Sequence, residues 1–343
     1  MDTEKKESLL SISASPHIRT GEDTRSIMLD VLIALVPALA VAAWMFGLRA
    51  IVNTVLSVLG CLFFEWGYRK LLHKPDSTGD LSAAVTGVLL AYTLPASIPW
   101  WILLIGDDFA IILVKQLFGG IGKNFMNPAL AARAFLFSWP VAMTRWIAPM
   151  SYDSFFALST ADAVTSATPL AALKTGALPQ EISLMHCFIG QIGGSMGEIS
   201  AFALLLGGVY LLIRRVITLR IPLAFLGTVA VLTFLFPQGN PRLSWMLWQL
   251  CSGGVILGAV FMATDYTTSP VNPKAQIVFG VGCGALTVFI RYFGSYGEGV
   301  SYAILIMNCC VWLIDRVTPP RRFGVTREAA KAAKAKAKGG VGK

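Results

Sequence analysis

The stretch MLDVLIALVPALAVAAWMFG, residues 28–47, decides the class of this chain: it is an apolar run interrupted by a single acidic residue, Asp30. An α-helix needs about 20 such residues to cross a hydrocarbon core roughly 30 Å thick. Comparable runs follow at 50–64 (AIVNTVLSVLGCLFF) and 201–213 (AFALLLGGVYLLI). Of the 343 residues, 55% are hydrophobic and only 14% are charged, against roughly 25% charged in a soluble domain. So few charges cannot coat a water-soluble particle of this size.

Working outward from the first run, ten spans can be read, at about 28–47, 50–67, 81–95, 98–118, 128–143, 199–213, 221–236, 245–264, 275–290 and 299–315. Cytoplasmic loops of membrane proteins carry the excess of Lys and Arg. With the N-terminus cytoplasmic, every Lys and Arg falls inside except Arg49, Arg145, Lys174, Arg242, Arg291 and the intraspan Arg133. Adding or losing one span would scramble this segregation. The expected fold is therefore an all-α polytopic membrane protein of about ten transmembrane helices with both termini cytoplasmic. Its parts are a cytoplasmic N-terminal segment (1–27), a first five-helix half (28–143), an extracytoplasmic loop (144–198), a second five-helix half (199–316) and a basic cytoplasmic tail (317–343). Five spans, a long loop and five spans suggest two repeats, and an odd number per half would make them inverted. The third span of each half is rich in small residues and closes on proline, at Pro95 and Pro270.

The first 27 residues are polar, so no cleavable secretory signal is indicated. The net charge of +9 comes largely from the tail, whose Ala-Ala-Lys repeats suit contact with anionic membrane lipid rather than nucleic acid. The cysteines Cys61, Cys187, Cys251, Cys283, Cys309 and Cys310 show no C-x-x-C spacing, and only three histidines are present. An iron–sulfur cluster, a bis-histidine haem or another metal centre held by this chain alone is not expected.

Loops as long as 144–198 are usually functional. Inside it lie Asp162, Thr165, Ser166, Ala167 and Thr168, followed by Pro169. The pattern D-x-x-[ST]-x-A-[ST] resembles the acceptor site of the flavin transferase that attaches FMN through a phosphoester to the final threonine. A hydroxyl nucleophile needs exposure and small neighbours that let a bulky donor approach. By this resemblance Thr168 carries covalent FMN, Asp162 and Thr165 are recognition residues and Ala167 gives clearance. Ser166 stands where the motif more usually has glycine. The plainer alternative is a Ser/Thr-rich turn ahead of Pro169.

Further blocks extend the likeness nearly end to end. They are Ser15, Pro16 and His17; SAAVTG from Ser82; GGIGKNFMNPA from Gly119; GGSMGEISA from Gly193; MATDYTTSP from Met262; and Arg291 through Glu298 to Asn308. Taken together they resemble the RnfD/NqrB family, and the length and short N-terminal segment are closer to its RnfD branch. The resemblance implies a bacterial inner-membrane subunit of an Rnf-type complex, which couples electron transfer between ferredoxin and NAD to transport of Na+ or H+. It also implies other complex subunits and a flavin transferase as partners. Within the membrane region it implies a second, non-covalent flavin such as riboflavin. Asp265, Thr264, Gly120 and Asn124 are the candidate contacts for that flavin.

Intramembrane ionisable residues are functional candidates by default; here they are Asp107, Asp108, Lys115, Arg133, Asp265, Arg291 and Glu298. No nicotinamide fingerprint is visible, so the chain is not expected to act alone. An NqrB-type subunit of a sodium-pumping NADH:quinone oxidoreductase, a ten-helix solute permease and a non-catalytic anchor are the alternatives. Neither of the last two needs an acceptor threonine.

Overall fold

A computed structural model describes residues 23–150, 155–156, 168–179, 182–294 and 297–319. Helices α1 (Thr24–Phe46) and α2 (Leu48–Leu71) are joined at Gly47, whose φ of 71° turns the chain sharply between two spans. On α1 the buried stripe Asp30, Ala34, Leu35, Ala38, Ala42 and Met45 recurs with helical spacing. Leu29, Ile33, Val36 and Trp44 point outward, the expected face toward lipid. Asp30 is neutralised where it lies: Tyr210 donates to it at 2.9 Å and Arg214 pairs with it at 3.1 Å.

The rest of the first half is less regular. Helix α3 (Ser82–Tyr92) is only 11 residues long and every one of them is buried. Helix α4 (Trp100–Asp108) runs on as a π-helix over Phe109–Gln116. Helix α5 (Pro128–Leu136) is capped by Asn127, whose side chain accepts from the amides of Ala129 and Leu130, and a short α6 (Pro140–Met143) follows. In the predicted loop lie α7 (Pro169–Lys174) and α8 (Leu184–Ile189). The second half contains α9 (Ala201–Ile213), α10 (Arg220–Leu235), α11 (Arg242–Cys251), α12 (Val255–Leu257, running on as a π-helix to Met262), α13 (Pro273–Phe293) and α14 (Val300–Val317).

Helical structure thus falls on each of the ten predicted segments, but they are not ten equal spans. Among the described residues, α1, α2, α13 and α14 are long and apolar enough to cross a membrane alone. A fifth span forms if α11 and α12 with its π-helical extension, bent by 63° at a short break, count as one. The break is buried in protein, where irregular backbone is tolerated because other groups satisfy it. There Arg291 donates to the Ser252 carbonyl at 2.8 Å, and the Gly254 amide donates to Glu298. No strand occurs among the described residues beyond an isolated bridge between Pro95 and Ser195.

Packing follows the same order in both halves. The second helix of each half packs on its third and fourth elements, and the first on the third; across the halves α1 meets α9 and α5 meets α14. Small residues set these approaches. A Cβ on Gly207 would lie 2.0 Å from the Ala34 carbonyl oxygen, and one on Gly87 would lie 2.8 Å from that of Ser57. The core lies where α3, α5, α9 and the α12 segment converge.

Candidate functional site

Two cavities flank that core. The first is built around Thr168. Proline at the next position disfavours helical backbone in the residue before it, and Thr168 is extended, with φ −75° and ψ 149°. It stands as the N-cap of α7, yet its side chain makes no capping hydrogen bond, and it is partly exposed. It lines a cavity of about 930 Å³, open mouth included, walled by Phe137, Trp146, Leu170, Ile192 and Ile199.

The floor of this cavity is charged. Arg133 of α5, 3% exposed, donates through Nη1 to Glu198 at 2.7 Å and through Nη2 to Glu298 at 2.5 Å. Nη1 also lies 3.2 Å from Ser301 Oγ. Glu198 precedes α9 and Glu298 precedes α14, so a single guanidinium ties together three distant parts of the chain. Arg291 is close by, bonded at 2.6 Å to the Gln249 carbonyl and at 2.9 Å to its side chain. Two carboxylates and two guanidiniums make this patch neutral overall, the condition under which buried charge is tolerable.

The second cavity, about 770 Å³, opens between α1, α3, α5 and the turn after the α12 segment, and Lys115, Asn124, Asn127, Thr264, Asp265 and Thr267 line it. Asp265 accepts from the Thr267 amide at 3.2 Å and from the hydroxyls of Thr267 and Thr268 at 3.1 and 3.2 Å. Asn124 donates to Thr267 Oγ1 at 3.1 Å, which joins the glycine-rich connection after the π-helix to this turn. Thr264 spends its hydroxyl on the Val260 carbonyl at 2.6 Å.

Three of the four residues predicted for a second flavin, Asp265, Thr264 and Asn124, therefore meet at one cavity. Gly120 is not among its lining residues: with φ 95° it faces Arg69, and a Cβ there would lie 2.8 Å from Arg69 Nη2. At the first site only Thr168 can be placed, because Asp162, Thr165 and Ala167 lie outside the described residues.

Glu65 was absent from the sequence-derived candidates. It is fully buried, and it pairs with Lys115 at 2.9 Å and accepts from Gln116 at 2.7 Å. The signal available was a single carboxylate just after the second apolar run, inside the predicted span 50–67. Arg69, one turn along α2, is a local partner at 3.9 Å, but Lys115 and Gln116 sit about fifty positions away and could not be read locally.

The family model that matches this chain is that of the NQR2, RnfD, RnfE family, over residues 11–324. The chain is 49% identical over 321 residues to the D subunit of the Na(+)-translocating ferredoxin:NAD(+) oxidoreductase complex of Acetobacterium woodii, covering 93% of this chain and 96% of that protein. It is 39% identical over 337 residues to the D subunit of the proton-translocating ferredoxin:NAD(+) oxidoreductase complex of Clostridium ljungdahlii, covering 94% and 98%. To the D subunit of the ion-translocating oxidoreductase complex of Stutzerimonas stutzeri it is 40% identical over 332 residues, covering 90% and 93%.

Proposed function

The chain belongs to the NQR2, RnfD, RnfE family, and on that premise we propose that it is the flavin-carrying membrane subunit of an Rnf-type complex. Such a complex couples electron transfer between ferredoxin and NAD to movement of Na+ or H+ across the bacterial inner membrane. The names of the relatives, each the D subunit of an ion-translocating oxidoreductase complex, favour this reading over an NqrB-type subunit and lend nothing to a permease.

The observation that carries the flavin part is Thr168 itself. Its hydroxyl is not used for capping, and it borders a cavity of about 930 Å³ with apolar walls and a charged floor. Attachment joins the Thr168 oxygen to the FMN phosphorus as the bond from that phosphorus to the rest of the transferase's flavin donor breaks; the hydroxyl proton leaves with the displaced group, and the peptide gains the mass of FMN less one water. When bound, the flavin accepts and donates electrons. Phe137, Trp146 and Ile199 are the residues that would hold the ring, and Arg133 with the two carboxylates would set the field around it. The second cavity, with Asp265 and Asn124 at its rim, suits a non-covalent flavin such as riboflavin. Ferredoxin and NAD are handled by partner subunits, and a flavin transferase matures this one.

Peptide mass spectrometry of the 144–198 segment, from cells that contain the transferase, tests the assignment. The parent should carry FMN on the peptide with Thr168, and Thr168→Val should carry none while still inserting into the membrane. Thr168→Ser, which keeps a nucleophile, should retain partial modification. Flavin that persists in Thr168→Val on Thr165 or Ser166 would refute the choice of residue.

The proposed sidedness, loop outside and termini inside, has its own test. Thr175, exposed at the end of α7, changed to cysteine should react with an impermeant thiol reagent in intact cells. The native Cys187 should contribute little background, since it is buried and that burial pushes its thiol up to about 12. Labelling that appears only after lysis would reverse the topology.

A further inference from the structure

Asp107, near the end of α4, has no exposed surface and packs against α2. Ser57 Oγ of α2 lies 2.6 Å from Asp107 Oδ1 and 2.9 Å from the Gly87 carbonyl oxygen of α3. A serine hydroxyl has one proton to donate. With an ionised Asp107, only one of these two contacts can be a hydrogen bond, and the other sets two lone pairs against each other. A proton on Oδ1 resolves both: Asp107 donates to Ser57, and Ser57 donates to Gly87. Cys61 donates its thiol proton to the same Oδ1 at 3.3 Å.

The surrounding charges do not offer an alternative. The Lys115 ammonium is held by Glu65 at 2.9 Å and by Ser82 at 2.6 Å, and Arg133 of α5 is held by Glu198 and Glu298. Asp108, the next residue, is itself a carboxyl. Among the described residues no ammonium or guanidinium pairs with Asp107, and Oδ2 has no hydrogen-bond partner. An unpaired carboxylate in apolar surroundings is costly enough that the group neutralises instead. A metal cation does not fit the same contacts. It needs several oxygens arranged around it, whereas Oδ1 and Ser57 Oγ are already at hydrogen-bonding distance and Oδ2 abuts Gly60, where a Cβ would come within 2.7 Å.

We propose that Asp107 is a proton-binding site inside the first membrane half, with Ser57 as a two-position donor that serves it. In the loaded state Oδ1–H donates to Ser57, and Ser57 donates to the Gly87 carbonyl. On release the proton leaves Oδ1, and Ser57 turns its own O–H from Gly87 to the carboxylate, which then accepts from Ser57 and Cys61 together. Atoms and charge balance, since one proton leaves and one carboxylate charge appears. Ser57, Cys61, Glu65 and Arg69 recur every fourth residue on α2 and so share a face. That file leads from Asp107 to the Glu65–Lys115 pair and on to the partly exposed Arg69. It is the route by which the site exchanges with water. Nothing in this proposal depends on Thr168 or on a flavin.

Infrared difference spectroscopy of the full chain in lipid, parent against Asp107→Asn, tests it. At neutral pH the parent should show the carbonyl stretch of a protonated carboxylic acid that Asp107→Asn lacks, and the band should shift in D2O. It should fade reversibly as pH is raised, and Ser57→Ala, which removes a donor to the carboxylate, should move that fading to higher pH. Three results would overturn the proposal. Absence of the band at neutral pH would mean an ionised carboxylate, and a band indifferent to pH would mean a permanently neutral structural group. Loss of the band on adding NaCl at constant pH would mean a cation site.

Discussion

Arg133 and Asp107 stand on packed helices, α5 and α4, and both are hidden from solvent, yet they meet the cost of burial in opposite ways. Arg133 brings its counter-charges with it, drawing Glu198 and Glu298 from distant parts of the chain to 2.7 and 2.5 Å. Asp107 has a serine and a thiol instead. The first arrangement is a fixed charge network: removing any member leaves a net charge in a medium that cannot solvate it. In the second, a single proton decides whether charge is present at all. A clamp calls for the former and a site that loads and unloads calls for the latter.

The comparison can be broken by substitution, and the largest effect belongs to the clamp. Arg133→Gln should destabilise the chain by about 3–5 kcal/mol, because two carboxylates are left buried without their cation; thermal unfolding in detergent would read this. Survival of Arg133→Gln with an unchanged midpoint would mean that the network is solvated. A middle effect is expected at Gly60. Its missing Cβ would come within 2.7 Å of Asp107 Oδ2 and 2.9 Å of a Leu104 methyl, so Gly60→Ala should cost about 1–3 kcal/mol by overpacking. The same measurement on Gly60→Ala combined with Asp107→Ala, which removes the obstructing oxygen, should show less than the sum of the two single losses. The smallest effect is Asp107→Asn. A neutral amide resembles the protonated acid in shape and charge, and stability should stay within about 1.5 kcal/mol of the parent, as for volume-conserving changes in a core. A loss as large as that of Arg133→Gln would place Asp107 among the fixed charges and erase the distinction.

Much of this was visible in the sequence, and the reasons for the rest are specific. Apolar runs located α1, α2, α13 and α14 closely, because long uninterrupted helices leave a length signal. The same signal marked α3 as a short span, 81–95, but overran its end, since Thr93, Leu94 and Pro95 extend the stretch after the helix has ended at Tyr92. The break between α11 and α12 was equally silent: Ser252, Gly253 and Gly254 look like ordinary small packing residues, and what opens the helix there is Arg291 and Glu298, some forty positions on. Charge inside apolar runs flagged Asp107, Lys115, Arg133 and Glu298 individually. Their pairing was not legible, because each partner is supplied by tertiary packing rather than by local spacing. The attachment motif is legible only as sequence, and of its residues Thr168 alone can be set in space.

The span of the Arg133 clamp also has a consequence in time. Glu198 follows Arg133 by 65 residues and Glu298 follows it by 165. At the roughly 5–20 residues per second of synthesis, the guanidinium exists for about 3–13 s before its first carboxylate is made, and for about 8–33 s before its second. A lone arginine in a helix at membrane depth is costly, so the nascent first half is a poor resident of the bilayer until residue 198 has been translated. Glu198 then acts as an interim counter-ion, and the last helix completes the clasp. Nascent chains halted at residue 190 should accordingly be cleared by membrane proteases faster than chains halted at residue 260, in which Glu198 has left the ribosome and Glu298 has not been made. Equal lifetimes would show that the ribosome-bound intermediate shelters its charge by other means.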